Sequence, residues 1–375
     1  MFEPSVPVED EHVFNGDLLT HKTDLEFAMR RFPRILHILD HPRLRAEFAK
    51  YDRVANEARG KVRLYGFLAV TASTLALLAL ATRPVWPHAL WNRWLAGAFE
   101  FGGMVAALIA IGGLWSGKWK HRWLTSRLMT ERLRQWHFQL IVRRGHEVEA
   151  SCKDEASIKT FQEERDRWLE HFLMEYRGHL DSQLESTIED PLEKIAWLHE
   201  DCSKYAYDGT ILKEVFVAYE LLRFNHQYGF AVCKLESSTI MPIWKFLKWP
   251  AKAQRSVLSG ATFMLFVTAL ILSALLICVN LFSEAEALEL YLRTAAIAVA
   301  IIGAALSTIY EGLGVDAEID RYREYREKIS RLHDRFKHST EGAQRLRCME
   351  DMEYASVEEM QDFLRAHQKA KFVLA

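Results

Sequence analysis

Apolar residues in this chain gather into four long blocks instead of recurring at helix or strand period. Leu64–Thr82 runs nineteen residues and Val257–Phe282 twenty-six without Asp, Glu, Lys or Arg. Leu95–Trp115 spans twenty-one with one acid, Glu100, and Thr294–Tyr310 spans seventeen with none. A hydrocarbon layer of about 30 Å is crossed by about twenty helical residues. The blocks therefore predict four transmembrane helices, at about 64–82, 95–115, 257–282 and 294–310. The connectors 83–94 and 283–293 are too short for anything but a tight return, so the spans pair into two hairpins.

Elsewhere the pattern is helical. Residues 116–144 read as a continuation of the second span, with Leu124, Leu128, Leu133, Trp136 and Leu140 as its apolar positions. Phe161, Trp168, Phe172, Tyr176 and Leu180 predict a stripe across 155–187. Asp190–Pro191 reads as an N-cap followed by proline at the first helical position. A further helix is expected from Asp208 or Thr210 to Leu235, broken off by Pro242 and Pro250. Ser356 with Glu359 has the capping-box spacing ahead of Phe363 and Leu364. No strand-like alternation stands out. The expected fold is all-α: two transmembrane hairpins, four spans, joined by a cytoplasmic helical bundle.

In outline the layout repeats. Residues 1–40 form an N-terminal cytoplasmic segment and 41–145 a first two-transmembrane unit. A helical linker, 146–209, separates it from a second such unit, 210–338, and 339–375 is a C-terminal cytoplasmic helix.

Charge orients this layout. Arg43, Arg45, Lys50, Arg53, Arg59, Lys61 and Arg63 precede the first span, and Lys118, Lys120, Arg122 and Arg127 follow the second. Lys245, Lys248, Lys252 and Arg255 precede the third, and Arg321, Arg323, Arg326 and Lys328 follow the fourth. The positive-inside bias puts both termini in the cytoplasm. Trp86, Trp91 and Trp94 fall in the outer connector, while Trp115, Trp119, Trp123, Trp244 and Trp249 fall at inner boundaries, where indole rings favour the headgroup level. The acidic start, with Glu3, Glu9, Asp10 and Glu11, lacks the order of a cleaved signal, so the first span is expected to act as an uncleaved insertion signal. A net charge of −2 over 375 residues argues against nucleic acid as a partner. It conceals the basic collars, for which anionic headgroups are the expected partner.

Candidate chemistry is sparse. Glu100 is the one acid inside a span and a candidate pore or intramembrane polar site. Gly97, Gly102, Gly103, Gly112, Gly303 and Ser307, with Ala98, Ala106 and Ala110, are candidates for close helix packing. These glycines lie inside spans and do not follow a strand, which excludes a phosphate-cradling loop. His171, Glu175 and His179 share a helical face, and His199–Cys202 sets candidate ligands side by side, but neither has metal-site spacing. Five scattered cysteines contain no C-x-x-C pair. No catalytic residues, metal or cofactor are expected, and the chain does not read as an enzyme.

Tyr51-Asp52-x-x-Ala55-x-x-Ala58-Arg59 before the first span is similar to the membrane-entering helix of SLATT-type two-transmembrane domains. Arg127-x-x-x-Glu131-x-Leu133-Arg134-x-Trp136 after the second resembles their exit helix, and Arg223-x-x-x-Gln227-Tyr228 resembles the entering element again. The second exit, Asp320-Arg321-Tyr322-Arg323-Glu324-Tyr325-Arg326, matches only in being charged and aromatic. This resemblance implies a multi-pass protein of the bacterial inner membrane, acting as a pore-forming or membrane-perturbing effector of defence or conflict systems. The resemblance also implies a response to nucleotide-type signals, and the chain itself is expected to act as a homo-oligomer through its hairpins. The alternative is a membrane-anchored scaffold that binds a cytoplasmic protein and transports nothing.

Overall fold

A computed structural model of the chain describes residues 11–85, 90–115, 117–199, 209–236, 249–282 and 285–369. Expectations resting on Glu3, Glu9, Asp10, Trp86, Glu200, Asp201, Cys202, Asp208, Pro242, Trp244, Lys245, Lys248 and Glu284 lie outside the described residues, as do those on the side chains of Glu11, Trp91, Arg93 and Trp115. Among the described residues the fold is helical with no strand.

Following a 3₁₀ segment, Glu11–Leu18, come α1 (Lys22–Arg31), α2 (Leu36–Leu39) and α3 (Pro42–Thr82). The chain continues with α4 (Leu90–Trp115), α5 (Lys118–Arg143), α6 (Gly145–Ser151), α7 (Glu155–Tyr176), α8 (Leu180–Glu189) and α9 (Leu192–Ile195). Then follow α10 (Gly209–Tyr219), a π-helical segment (Glu220–Asn225), α11 (His226–Leu235), α12 (Ala251–Phe282), α13 (Glu286–Leu313), α14 (Val315–His338) and α15 (Gly342–Lys369). Four of these helices, α3, α4, α12 and α13, contain stretches long and apolar enough to cross a membrane.

The chain forms two compact units, each assembled from separated stretches of sequence. A helical unit takes residues up to Asn56, Arg122–Ile240 and Ile319–Lys369, and a hairpin unit takes Glu57–His121 and Met241–Glu318. The sequence outline, two successive two-transmembrane units, differs from this grouping: both hairpins fall in one unit, and the flanking helices of both fall in the other. Packing, which joins what hydropathy order separates, decides the grouping.

Several local expectations are corrected. Residues 116–144 do not simply prolong the second span, because α5 starts afresh after Gly117, whose φ of +63° ends a right-handed helix. Gly314, φ +61°, caps α13 in the same way before α14. The 155–187 stripe is split by Gly178, φ +88°, into α7 and α8; Asp154 caps α7 by accepting from Ser157 N at 2.7 Å. Asp190 ends α8 and does not cap a following helix; Pro191 holds the N-cap place, and Asp190 instead pairs with Lys194 at 2.8 Å. Ser356 and Glu359 lie in the middle of α15, so they form no capping box. There the spacing reflects tertiary partners: Ser356 meets Arg223 and Glu359 meets Arg321.

Candidate functional site

In the hairpin unit, large apolar side chains point outward. Leu64, Leu75, Phe99, Phe101, Leu108, Phe263, Met264, Phe266 and Leu270 are all exposed. Small residues point inward. On α3, Ala69, Ala72 and Ala76 are buried, and on α4 Ala107 and Ala110. Gly103 provides the close approach: a methyl there would stand 2.9 Å from Ala72 O and from Ala76 Cβ. At Gly113 it would stand 3.0 Å from the Tyr65 ring. Close contact between helix backbones of this kind depends on the missing Cβ.

Within the chain, an added methyl at Gly97, Gly102 or Gly112 meets nothing within 4 Å. Helical spacing explains it: Gly103, Ala107 and Ala110 follow one face of α4, and these three glycines lie off that face. Gly303 makes only ordinary contact, 4.0 Å from Leu265 Cβ, and Ser307 is half-buried. Glu100 is half-buried on α4, three residues before Gly103, so it shares the face that packs on α3. Its flanking neighbours Phe99 and Phe101 are exposed.

The basic run after the second span separates into two populations. Lys118 and Arg122 are exposed, Lys120 is half-buried with its ammonium pushed down by burial, and Arg127 pairs with Glu131 at 2.6 Å. Arg132 and Arg134 are buried, so they cannot form part of a basic outer face. Trp123 is buried against Phe363 and His367, which corrects its expected place at a headgroup boundary. Trp119 lies under the Lys61 ammonium at 3.7 Å from its ring centroid.

The helical unit holds a buried polar network that no spacing motif announced. The Arg223 guanidinium donates Nε to Glu353 Oε1 at 2.9 Å and Nη2 to Oε2 at 2.8 Å, a bidentate pair buried on both sides. Nη2 also donates to Ser356 Oγ at 2.9 Å, and Tyr219 OH donates to Glu353 Oε1 at 2.5 Å. Arg134 stands 3.0 Å from both Asp17 and Glu131 and donates to Asn15 Oδ1 at 2.8 Å. Gln227 receives the Tyr325 hydroxyl at 3.2 Å and faces Asp17 at 3.5 Å. Burial pulls the Arg223 guanidinium down, but the Glu353 carboxylate outweighs it and the net shift is upward. Glu131 is pushed up by burial, yet Arg127 and Arg134 hold it below the usual carboxylate range. Burial, then the Glu353 carboxylate, raises the Tyr219 phenol well above its ordinary value.

Backbone geometry sets this up. Arg223 is carried by the π-helical segment between α10 and α11, a local widening by one inserted residue of a kind frequent at functional sites. Residues of two quoted motifs, Arg127, Glu131 and Arg134 of one and Arg223 and Gln227 of the other, converge here. Their legible signal is charge inside an otherwise apolar stripe. Asp17 and Glu353 offered no such signal.

A second cluster gathers histidines around Arg165, which donates to the carbonyls of His37 at 2.6 Å and Asp40 at 3.1 Å. His37 bonds Ser151 Oγ at 2.8 Å, His41 bonds Asp166 at 2.9 Å, and His199 bonds Trp136 O at 3.2 Å. Burial, aided by Arg165, lowers His37 to about 4, His41 to about 2 and His137 to about 3. Burial thus favours the neutral form of these rings. No group of three or more potential ligands that could hold a metal occurs among the described residues. Among them His171 pairs with Glu175 at 3.3 Å on an exposed face.

Comparison with protein-family models, curated proteins and solved structures finds no match for this chain.

Proposed function

We propose that the chain is a multi-pass inner-membrane protein, both termini cytoplasmic, whose hairpins self-associate to open or disturb the bilayer when the helical unit changes state. The observation that carries this reading is that α3, α5 and α14 each belong to both units without a break. A rearrangement of helices in one unit is then delivered mechanically to spans in the other. The exposed Leu, Phe and Ile of the four spans suit lipid, and Lys118 and Arg122 suit anionic headgroups. The reading agrees with the resemblance to SLATT-type effectors, and the trigger it implies is a cytoplasmic ligand or protein. Neither an enzymatic step nor nucleic-acid binding is part of it.

Reconstitution into liposomes tests it. Ion leak that rises with protein density and falls in Glu100→Gln is expected. Absence of leak at every oligomeric state removes the pore reading.

One observation favours the alternative, a membrane-anchored scaffold. The span hydroxyls of Thr268, Ser273 and Thr308 bond their own helix carbonyls at 2.8–2.9 Å, leaving little to line a water path. A protein partner captured by the helical unit, with no leak, would establish that reading.

A further inference from the structure

The short segment leading into α1 enters the buried network awkwardly. It is a 3₁₀ helix, Glu11–Leu18, and ends on Leu19 at φ +54°, a left-handed conformation that a branched, buried side chain rarely adopts. From it Asp17, 1 % exposed, is inserted among four donors on α5, the π segment and α11. Each contact is loose for a buried anion except one. Arg134 Nε lies 3.0 Å from Oδ2, Gln227 Nε2 3.5 Å and Arg223 Nη1 4.0 Å, while His226 Nε2 lies 3.8 Å from Oδ1. Asp17 Oδ1 has no hydrogen-bond partner, and the approach of Arg134 Nε is too poorly aligned to count as one.

Asp17 supplies one of the carboxylates that offset the guanidinium groups here, with Asp52 a weaker influence on Arg134. Arg127, Arg134 and Arg223 face Glu131, Glu353 and Asp17. Withdrawing Asp17 takes a negative charge from beside the buried guanidinium groups of Arg134 and Arg223, a loss that another anion in the same place would make good. Arg134, Arg223, Gln227 and His226 come from elements other than the 3₁₀ segment, so the donors do not depend on it for their place in the chain.

We propose that Arg134, Arg223, His226 and Gln227 form a binding site for one anionic group, a carboxylate or a phosphate, and that Asp17 occupies it in cis as a displaceable plug. The segment, left-handed at Leu19 and with Asp17 Oδ1 unpartnered, is the exchangeable partner even though Asn15 on Arg134 and the buried Leu18 anchor it, and the donors on α5, the π segment and α11 are the receptor. An incoming anion takes the Asp17 position and frees residues 11–20. This deepens the proposed function by giving the helical unit the chemistry of its trigger, and in that purpose it rests on that reading. The binding is tested without any leak measurement, so the two fail separately.

The test uses the full chain in detergent micelles, with chloride at matched ionic strength as control. Two probes are added: inorganic phosphate, and a blocked peptide of residues 11–20 with Asp17 or with Asn in its place. In the unmodified protein, amide hydrogen exchange across 11–20 is expected to quicken severalfold with phosphate or with excess Asp peptide. Asp17→Asn is expected to gain thermal stability from the same probes, and Asp17→Asn with Arg134→Gln to lose that gain. Response to phosphate alone identifies a phosphate ligand; response to the Asp peptide alone, and not its Asn form, identifies a carboxylate. Unchanged exchange at 11–20 in the unmodified protein under both probes overturns the proposal, whether or not Asp17→Asn folds.

Discussion

The two units of this protein are built inside out with respect to each other's composition. The helical unit hides its largest side chains: Trp136, Tyr219, Phe138, Phe224 and Phe336 are all buried, along with Arg223 and Glu353. The hairpin unit hides alanine and glycine and displays leucine and phenylalanine. In water, burying large apolar surface is the main gain of folding, about 25 cal/mol per Å². Between helices in lipid that gain vanishes, and close contact through small residues takes over. Each unit thus follows the rule of the solvent it suits.

The largest effect expected from breaking this contrast lies in the buried pair. Glu353→Ala leaves the buried Arg223 guanidinium without its bidentate partner, the Tyr219 hydroxyl keeping only the Met349 carbonyl, and should cost about 3–5 kcal/mol, while Glu353→Gln keeps part of the hydrogen bonding and costs less. Thermal unfolding followed by near-ultraviolet circular dichroism would show it, since Tyr219 and Phe138 sit in that core. Equal midpoints for the two variants would mean that the hydrogen bonding Gln can keep contributes nothing and that the lost carboxylate charge accounts for the whole cost.

Overpacking the seam comes next. Gly103→Leu drives a side chain into Ala72 and Ala76 and should cost about 1–3 kcal/mol. Gly102→Leu meets open space and should leave the hairpin intact. Unfolding in graded denaturing detergent separates the two. Equal loss from both would show that α4 does not pack on α3 through Gly103.

Acid discriminates between the units as well. His137 is buried neutral with its value lowered from 6.5 to about 3, so the unfolded chain binds the proton first as pH falls. Stability is full above about pH 6.5 and is lost progressively below it, roughly 2 kcal/mol from His137 alone between pH 6.5 and 5. His37 and His41 act in the same direction. Tryptophan fluorescence against pH should report loss around Trp136 while the helicity of the spans persists. A flat profile from pH 7 to 5 would contradict this.

The smallest effect is at the left-handed turns. Gly314→Ala forces a Cβ into φ +61° and should cost about 1 kcal/mol, though nothing lies within 4 Å of the new methyl. Gly60→Ala, in the interior of α3 with equal space, should be neutral or slightly stabilising. A thermal-midpoint comparison of the two isolates backbone strain from packing.

Hydropathy alone determined the four helices long and apolar enough to cross a membrane, because a run of about twenty uncharged residues has few other ways to satisfy both its backbone and its side chains. Helix type was legible for the same reason, from period and from the scarcity of strand patterns. Its failures are specific. Gly97, Gly102, Gly103 and Gly112 look alike in sequence, and only the rotation of α4 against α3 decides that Gly103 carries the approach. Ser356 and Glu359 match a capping box, yet the helix runs through them because Arg223 and Arg321 supply partners from elsewhere. Arg134 and Arg223 read as part of basic or motif-like helices, with nothing to say that Asp17, more than a hundred residues earlier, would share their site. Local pattern encodes what a segment can do in its solvent. Which charges meet is a long-range matter, and only the tertiary structure, by bringing residues 17, 134, 223 and 353 together, decided it.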